Sequence, residues 1–393
     1  MVKISREKEL HSSAVRFLSV GDISLRGRYE DQPDIHPFRI LKSYSKRVSF
    51  VIGNLESPLT DTGAQPVPGK CTLRGWLGWA SVLNGVGVAL VCVANNHMMD
   101  YGDKGLSSTM EVLDRFGLLY VGAGKNLQEA AKPVILELRD YKVAFLGRSS
   151  VEVSSKCYAH ADEPGVAWLD KDELKRSIRA CRREADFVVV CLHWGMEHYQ
   201  YPSPSQRAFA RELAEAGADL ILGHHPHVLQ GEERIGRTLV SYSSGNFLFD
   251  EFDWSVPDGK GGERTFRSTL TEKNRQGMML EISIDSDGGI SSRPIFTRIS
   301  KSAIVELDDT PDRHAEYMRL CSRLTMPMPL YSIFWKLYSM KQEWNLRFSN
   351  QLSPLNVIRK IHKIRPRHFK ELAVKIRRSA RVASEKSTNP YEG

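Results

Sequence analysis

Seven short runs of aliphatic and β-branched residues, at 15–21, 48–52, 88–94, 134–138, 143–147, 187–193 and 220–223, constrain this chain more than any other feature. Most are continuous rather than alternating in polarity, which is how strands covered on both faces look. Helical periodicity lies between several of them: at 106–116, at 171–184 behind the N-cap residue Asp170, and at 205–216 ending at Gly217. Strands alternating with helices predict an α/β core. Beyond His227 the pattern changes to strand pairs, 228–233 with 238–243 around a turn at Ile235-Gly236, then 278–284 and 293–299. The sheets are therefore expected to be mixed, or stacked as a sandwich. At 393 residues, 41% hydrophobic and 26% charged, the chain has room for one large domain or two ordinary ones.

Polar residues gather where those runs end. Gly21-Asp22 follows the first, Gly53-Asn54-Leu55-Glu56 the second, and Asn95-Asn96-His97 with Asp100 and Gly102 the third. His193-Trp194-Gly195 ends a later run, and His224-His225-Pro226-His227 ends the last. Any one cluster is also explained as a turn, a helix cap or a surface group of histidines. Together they match the rule that open α/β sheets bind ligands outside the carboxyl ends of their strands. Pro226 has no N–H for a strand ladder and pushes His225 out of the helical region, so an irregular turn aims the imidazoles on either side of it.

The residue types suit a metal hydrolase. Carboxylates from Asp22 and Glu56, amides from Asn54 and Asn96, and imidazoles from His193, His225 and His227 are mixed oxygen and nitrogen donors, fitting Mn, Fe, Zn or a pair of such ions. Two divalent ions about 4 Å apart would deprotonate a bridging water near neutral pH. His97, its ring held in one tautomer by Asp100, is the candidate to protonate a leaving group. Glu197, four residues after His193, and Asn246, between Gly245 and Phe247, are candidate substrate contacts. Arg26 and Arg74 suit an anionic substrate, but nothing in the sequence places either beside the metals. The glycines of the 257–262 loop are followed by no helix start or Lys-Ser/Thr, so no phosphate cradle is expected there.

These motifs carry a resemblance. Gly21-Asp22, the run Gly53-Asn54-Leu55-Glu56-Ser57-Pro58-Leu59, the run Ala94-Asn95-Asn96-His97-Met98-Met99-Asp100-Tyr101-Gly102, His193-Trp194-Gly195-Met196-Glu197, residues 216–228, and Ser244-Gly245-Asn246-Phe247 together resemble the CapA family of capsule synthesis proteins. That family is associated with poly-γ-glutamate production and is itself similar to calcineurin-like metallophosphoesterases. The resemblance spans roughly residues 16–299. It implies a four-layer sandwich of two mixed β-sheets flanked by helices, over residues 14–300, holding a two-metal centre. It also implies that Asp22 is the first metal carboxylate and that Asn96 and His97 are the paired amide and imidazole. Asp100 is then the acid behind His97, and His193, His225 and His227 are the later ligands, with His224 just outside the set. Two departures stand out: Ser24 occupies the place of a metal-binding His, and Asn54 and Glu56 stand where phosphoesterases use Asp.

The net charge is +8, and its excess sits late: from Arg359 to Arg381 there are ten Lys or Arg against the single acid Glu371. Residues 301–393 are expected to be a helical, basic extension that touches an anionic membrane face, a membrane synthase or a polyanion. Nucleic acid is not expected, because no binding motif accompanies the charge. No apolar run reaches the roughly 18 residues of a membrane span, and the N-terminus carries charges where a signal peptide needs an apolar core. A cytoplasmic or peripherally membrane-associated protein is expected. The six cysteines lack Cys-x-x-Cys spacing and read as small buried hydrophobes. The function expected is metal-dependent hydrolysis of an anionic polymer or its phosphorylated precursor during surface polymer production. A non-hydrolytic accessory subunit of a polymer synthase and a phosphomonoesterase or nucleotidase are the alternatives.

Overall fold

The continuous apolar runs become the centres of two sheets. The computed structural model describes residues 2–3, 15–30, 36–61, 66–151, 157–257, 262–285 and 288–348. One sheet has seven strands, in the order Val2–Lys3, Val134–Leu138, Tyr141–Ser149, Phe187–His193, Leu220–His224, Thr238–Ser241, Glu232–Ile235. The strands from Tyr141–Ser149 to Thr238–Ser241 run parallel, and the set is flanked by one antiparallel neighbour at each end, Val134–Leu138 beside Tyr141–Ser149 and Glu232–Ile235 beside Thr238–Ser241. The other sheet has eight strands. Val305–Leu307, Ile290–Ile299 and Gln276–Ile284 form an antiparallel series that meets Val15–Ile23, followed in parallel by Phe50–Leu55, Val88–Cys92 and Leu119–Val121. The short strand Asn246–Leu248 adds in parallel to the end of Val15–Ile23.

Alternate residues of these strands serve two different cores. Phe17, Phe50, Leu90 and Cys92 of one sheet are buried with Phe145, Phe187, Val189, Cys191 and Leu222 of the other. Phe17 stacks on Phe50 with centroids 5.0 Å apart, and the edge of Phe145 meets both rings, so the sheets lock face to face. Each such ring taken from water contributes on the order of 1.5–3 kcal/mol. On the opposite face of the eight-stranded sheet, Leu18, Val20, Val51 and Val91 pack with Leu41, Trp79, Leu83, Leu106 and Leu113 from the helices Arg39–Ser45, Trp79–Gly85 and Gly102–Arg115. Helices Lys171–Cys181 and Pro204–Ala216 serve the seven-stranded sheet; buried Arg148 of that sheet reaches Glu173 of the first. The order helix, sheet, sheet, helix is the four-layer α/β sandwich expected.

Local chemistry sets where these helices begin and end. Asp170 caps Lys171–Cys181 by accepting from the Glu173 N–H, as its position in the sequence predicts. Ser203 and Gln206 form a capping box, and Gly217 closes that helix at φ 108°.

The chain divides into two compact units, Met1–Ser332 and Ile333–Gly393. The strand Val305–Leu307 and the helix Pro311–Leu324 belong to the first, and Tyr317 and Leu320 of that helix lie in the core between the sheets. The basic segment 359–381 and residues 258–261 of the glycine-rich loop lie outside the described residues.

Candidate metal centre

Register brings the polar clusters to one edge of the sandwich. Asp22 pairs in register with Asn54 on one side and with Asn246 on the other, and His193 pairs with His224 in the facing sheet. The approach of Asn246 needs Gly21: a Cβ there would stand 2.0 Å from the Gly245 carbonyl oxygen, which accepts the Asp22 N–H at 3.0 Å. Around Pro226 the chain leaves regular structure as its sequence demands, with His225 at φ 97° and His227 at φ 56°. These left-handed residues turn both rings back toward the strand ends.

Asp22 is the anchor of the cluster. Fully buried, its carboxylate accepts from the Asn54 amide at 2.9 Å and the His225 N–H at 3.3 Å, and lies 3.2 Å from Nδ1 of both His224 and His227. Burial acts to raise this carboxyl, but hydrogen bonds from His224 and His227 and their charge outweigh it and hold the group well below the usual carboxylate range. Glu56 is the opposite case. It is equally buried, neither oxygen has a hydrogen-bond partner, and burial pushes its carboxyl well above the ordinary value. His227 stands between the two acids, with Nε2 3.4 Å from Glu56 and Nδ1 also 2.9 Å from the Asn246 oxygen. Burial disfavours its charged form, yet Glu56 and then Asp22 raise this imidazole to about 10.

His193 and His225 are held neutral. His193 Nε2 lies 2.8 Å from the Asn96 oxygen and Nδ1 3.4 Å from the Asn54 amide, so those partners assign the proton to Nε2. Its ring is 4.8 Å from that of His225. Burial lowers both, His225 to about 3 with help from the neighbouring His227 charge. His225 Nδ1 is buried without a partner.

A second polar array adjoins the first. His97 Nδ1 donates to Asp100 at 2.7 Å, which fixes the ring and leaves Nε2 outside that bond. Asp100, fully buried, also accepts from the Leu73 N–H at 2.6 Å and from Lys70, whose ammonium reaches the Asn96 carbonyl at 3.0 Å as well. Lys70 thus ties the 66–75 loop to the Asn96–Asp100 turn and neutralises the acid behind His97.

The donors fit divalent ions. Asp22, Glu56 and His227 bring ligand atoms within 4.8 Å of one another, and so do Glu197, His225 and His227. Asn96 Oδ1 and His193 Nε2, 2.8 Å apart, span an edge close to the ~3 Å that adjacent ligands make at ~2.1 Å from one ion. Orphaned buried groups are rare in folded proteins, and here two of them, the Glu56 carboxylate and His225 Nδ1, face the same cluster. Every residue named from the sequence as a ligand falls within this cluster. The two positions expected to contact substrate lie at the same edge. Asn246 is buried and engaged at both ends, by His227 and by the Asn274 carbonyl at 3.0 Å, and Glu197 joins a candidate ligand group. His224, expected outside the set, touches Asp22. Ser24 turns to Ser57, with the hydroxyls 3.4 Å apart. Arg26 and Arg74 both pair with Glu30, and the exposed His198 hydrogen-bonds Asn274.

The charge pattern sets a pH dependence for the metal-free protein. His227 and Glu56 have raised values, so the folded state keeps protons that the unfolded chain gives up. Their stabilisation is complete below the unfolded values of 6.5 and 4.5 and is lost as pH rises through the folded ones. In EDTA the melting temperature is therefore expected to fall between about pH 7 and 10. His193 and His225, with lowered values, titrate the other way, stabilising above 6.5 and losing that contribution only as pH falls. A bound divalent ion replaces the protons as the compensating charge and should flatten the alkaline fall. Thermal scans across pH with and without Mn²⁺ check this; identical curves would count against a cation at this place.

A family model described as bacterial capsule synthesis protein PGA_cap matches residues 16–251. The capsule biosynthesis protein CapA of Bacillus anthracis is 35% identical over 221 residues, covering 54% of this chain and 54% of that protein. The PGA biosynthesis protein CapA of Bacillus subtilis is 35% identical over 240 residues, covering 59% and 62%. The chain thus spans little more than half the length of these relatives. Among solved structures, the NAD nucleotidase of Haemophilus influenzae aligns over 84% of this chain and 60% of its own, at 12% identity and a TM-score of 0.41.

Proposed function

Because the chain belongs to the bacterial capsule synthesis protein family PGA_cap, we propose that it takes part in making an anionic capsule polymer of the poly-γ-glutamate kind, as a metal-dependent hydrolase acting on that polymer or a phosphorylated precursor. The observation that carries this reading is the Glu56 carboxylate, buried without a donor beside the ionised Asp22. Two such acids are stabilised by a positive charge between them, which His227 supplies in the metal-free protein and a divalent ion would supply in its place. Asp22, Glu56 and His227 would hold one ion, and His225, Glu197, Asn96 and His193 a second, drawn from Mn, Fe and Zn. When bound, the ions supply a hydroxide near neutral pH and polarise the bond to be cut.

The chain's own residues do the rest. Asp22 aims His224 and His227, Asn54 steadies Asp22 against His193, and Asn246 fixes the His227 ring. Asp100 sets the His97 tautomer; Nε2, once protonated, donates to the leaving group. Glu197, the exposed member of the set, lies where substrate approaches. The working domain in this reading is 14–300, and 301–393 is the extension, whose basic segment seeks an anionic surface.

Stripping and restoring metals tests the reading. Elemental analysis is expected to find about two divalent ions per chain. Restored protein should cleave a γ-linked glutamyl polymer or one of a panel of phosphate esters, and His97→Ala should slow that cleavage by about 10²–10⁴-fold. A folded protein that retains no divalent metal defeats the enzyme reading, and cleavage of simple phosphate esters alone selects a phosphomonoesterase or nucleotidase. Ser24, bonded to Ser57 in the place of a ligand His, favours a second reading: a non-hydrolytic accessory subunit of a membrane polymer synthase. Removing residues 355–393 separates the two. Lost membrane sedimentation with retained hydrolysis marks an anchored enzyme, while no hydrolysis in either form marks the accessory role.

A further inference from the structure

The residue after Glu197 is held in an unusual way. His198 has a left-handed backbone, φ 66°, a conformation that costs any residue with a Cβ, and its N–H donates to the Pro226 carbonyl at 2.7 Å. Its backbone is thereby fixed to the loop of the metal-site histidines, and its ring is fixed as well. Asn274, buried, sets that ring. The Asn274 side-chain oxygen accepts from the Thr271 N–H at 3.3 Å and the Thr271 hydroxyl at 2.6 Å, and its amide nitrogen donates to the His227 carbonyl at 2.9 Å. A backbone N–H only donates and a carbonyl only accepts, so these partners leave the amide one orientation. The same nitrogen, 3.0 Å from His198 Nδ1, therefore offers Nδ1 a proton. A ring nitrogen that accepts carries no proton of its own, which puts the imidazole proton on Nε2.

That proton is uncommitted. The Glu197 carboxylate stands 3.9 Å from Nε2, beyond hydrogen-bond reach, and both side chains are about half exposed. A fixed cation adjoins them: Lys273, next to Asn274, bonds the side-chain oxygen of Gln200 through its ammonium. A solvated histidine needs neither a strained backbone nor a buried amide to choose its tautomer. We propose that His198 is a substrate-binding residue, donating from Nε2 to an anionic oxygen, carboxylate or phosphoryl, of the molecule held at the metal centre. The donor and the neighbouring ammonium select an anion. An anion arriving here also meets Glu197, whose charge is offset by the ion it would help to hold, so the proposal rests on the metal-centre reading given above. Asn274 acts through His198 and is a positioning residue.

Calorimetric titration of the zinc-loaded full chain tests it, with inorganic phosphate in one arm and a γ-linked glutamyl trimer in the other; the arm that binds identifies the source of the oxygen. His198→Phe, which keeps a ring without a donor, should weaken that binding by about tenfold or more, with zinc content and melting temperature unchanged. His198→Gln, whose amide supplies an N–H in place of Nε2, should recover most of the loss. Two-bond proton–nitrogen correlation spectra of histidine-labelled protein should show the His198 proton on Nε2, the signal being assigned by its absence from His198→Phe. The proposal is overturned if the proton sits on Nδ1, if the wild type binds neither probe, or if His198→Phe binds as tightly as the wild type. It is equally overturned if His198→Phe loses zinc in step with binding, which would make the ring a support for Glu197. Zinc content separates the two readings: a wild type that retains no zinc defeats the metal centre and this role with it, whereas one that holds zinc and binds a probe no better than His198→Phe defeats the role of His198 alone.

Discussion

Asp22→Ala should yield a protein that retains no divalent metal and is less stable by roughly 3–5 kcal/mol, the usual cost of removing one partner from a buried charged cluster. Four groups converge on this carboxylate: the Asn54 amide, the His225 N–H, and the rings of His224 and His227. Alanine would leave each of them in a buried polar gap without the acceptor it now has. His227 would lose one of the acids that raise it, and the His225 loop would lose the bond that closes its left-handed turn. Denaturant unfolding and elemental analysis of the same preparation read both effects. Full metal content in the variant would remove Asp22 from the centre.

Glu56→Gln should lower both the stability of the metal-free protein and its metal binding. Gln keeps the shape of the side chain but removes the acid that does most to raise the buried His227, so in EDTA the variant is expected to be less stable by roughly 1–3 kcal/mol, with a smaller alkaline fall. A neutral amide is a poor ligand, and affinity for Mn²⁺ should fall by about a hundredfold or more, the range in which even supporting residues of metal sites act. A ligand at a hundred times its dissociation constant stabilises the fold by ~2.7 kcal/mol, so the metal-induced rise in melting temperature seen for the wild type should disappear. Lower stability in EDTA with an intact response to metal would show that Glu56 serves the fold alone.

The sheets were legible because buried parallel strands are written as uninterrupted apolar runs. The strands Val134–Leu138 and Phe187–His193 have the bounds their sequence predicts, and the others differ by a few residues at their ends. The ligands were legible for a related reason: a parallel sheet opens its carboxyl ends to one side, so polar residues that end separate runs must meet. What the sequence conceals is whatever depends on distant approach. Lys70 sits in a loop with no periodicity, and its partner Asp100 is 30 residues away. Asn246–Leu248 is too short a strand to announce itself and exists only because Gly21 and Gly245 admit the close contact. The hairpin of Phe252–Pro257 and Glu263–Ser268 is exposed and mixed in polarity, so it shows none of the burial signal that marks the other strands. Glu197 lies on an exposed turn, and nothing local tells whether its carboxylate faces inward.

The Asp22 strand lies in the middle of its sheet and has Phe50–Leu55 on one side and Gln276–Ile284 on the other. During translation the length of its second edge that Asn246–Leu248 does not cover therefore stays bare until residue 284 has left the ribosome, a long wait for a buried strand and an invitation to wrong pairing. A shortened gene ending at residue 251, where the family match stops, would make that wait permanent. Its product should precipitate or demand a chaperone, whereas one ending beyond the helix Pro311–Leu324 closes the sheet with its own chain.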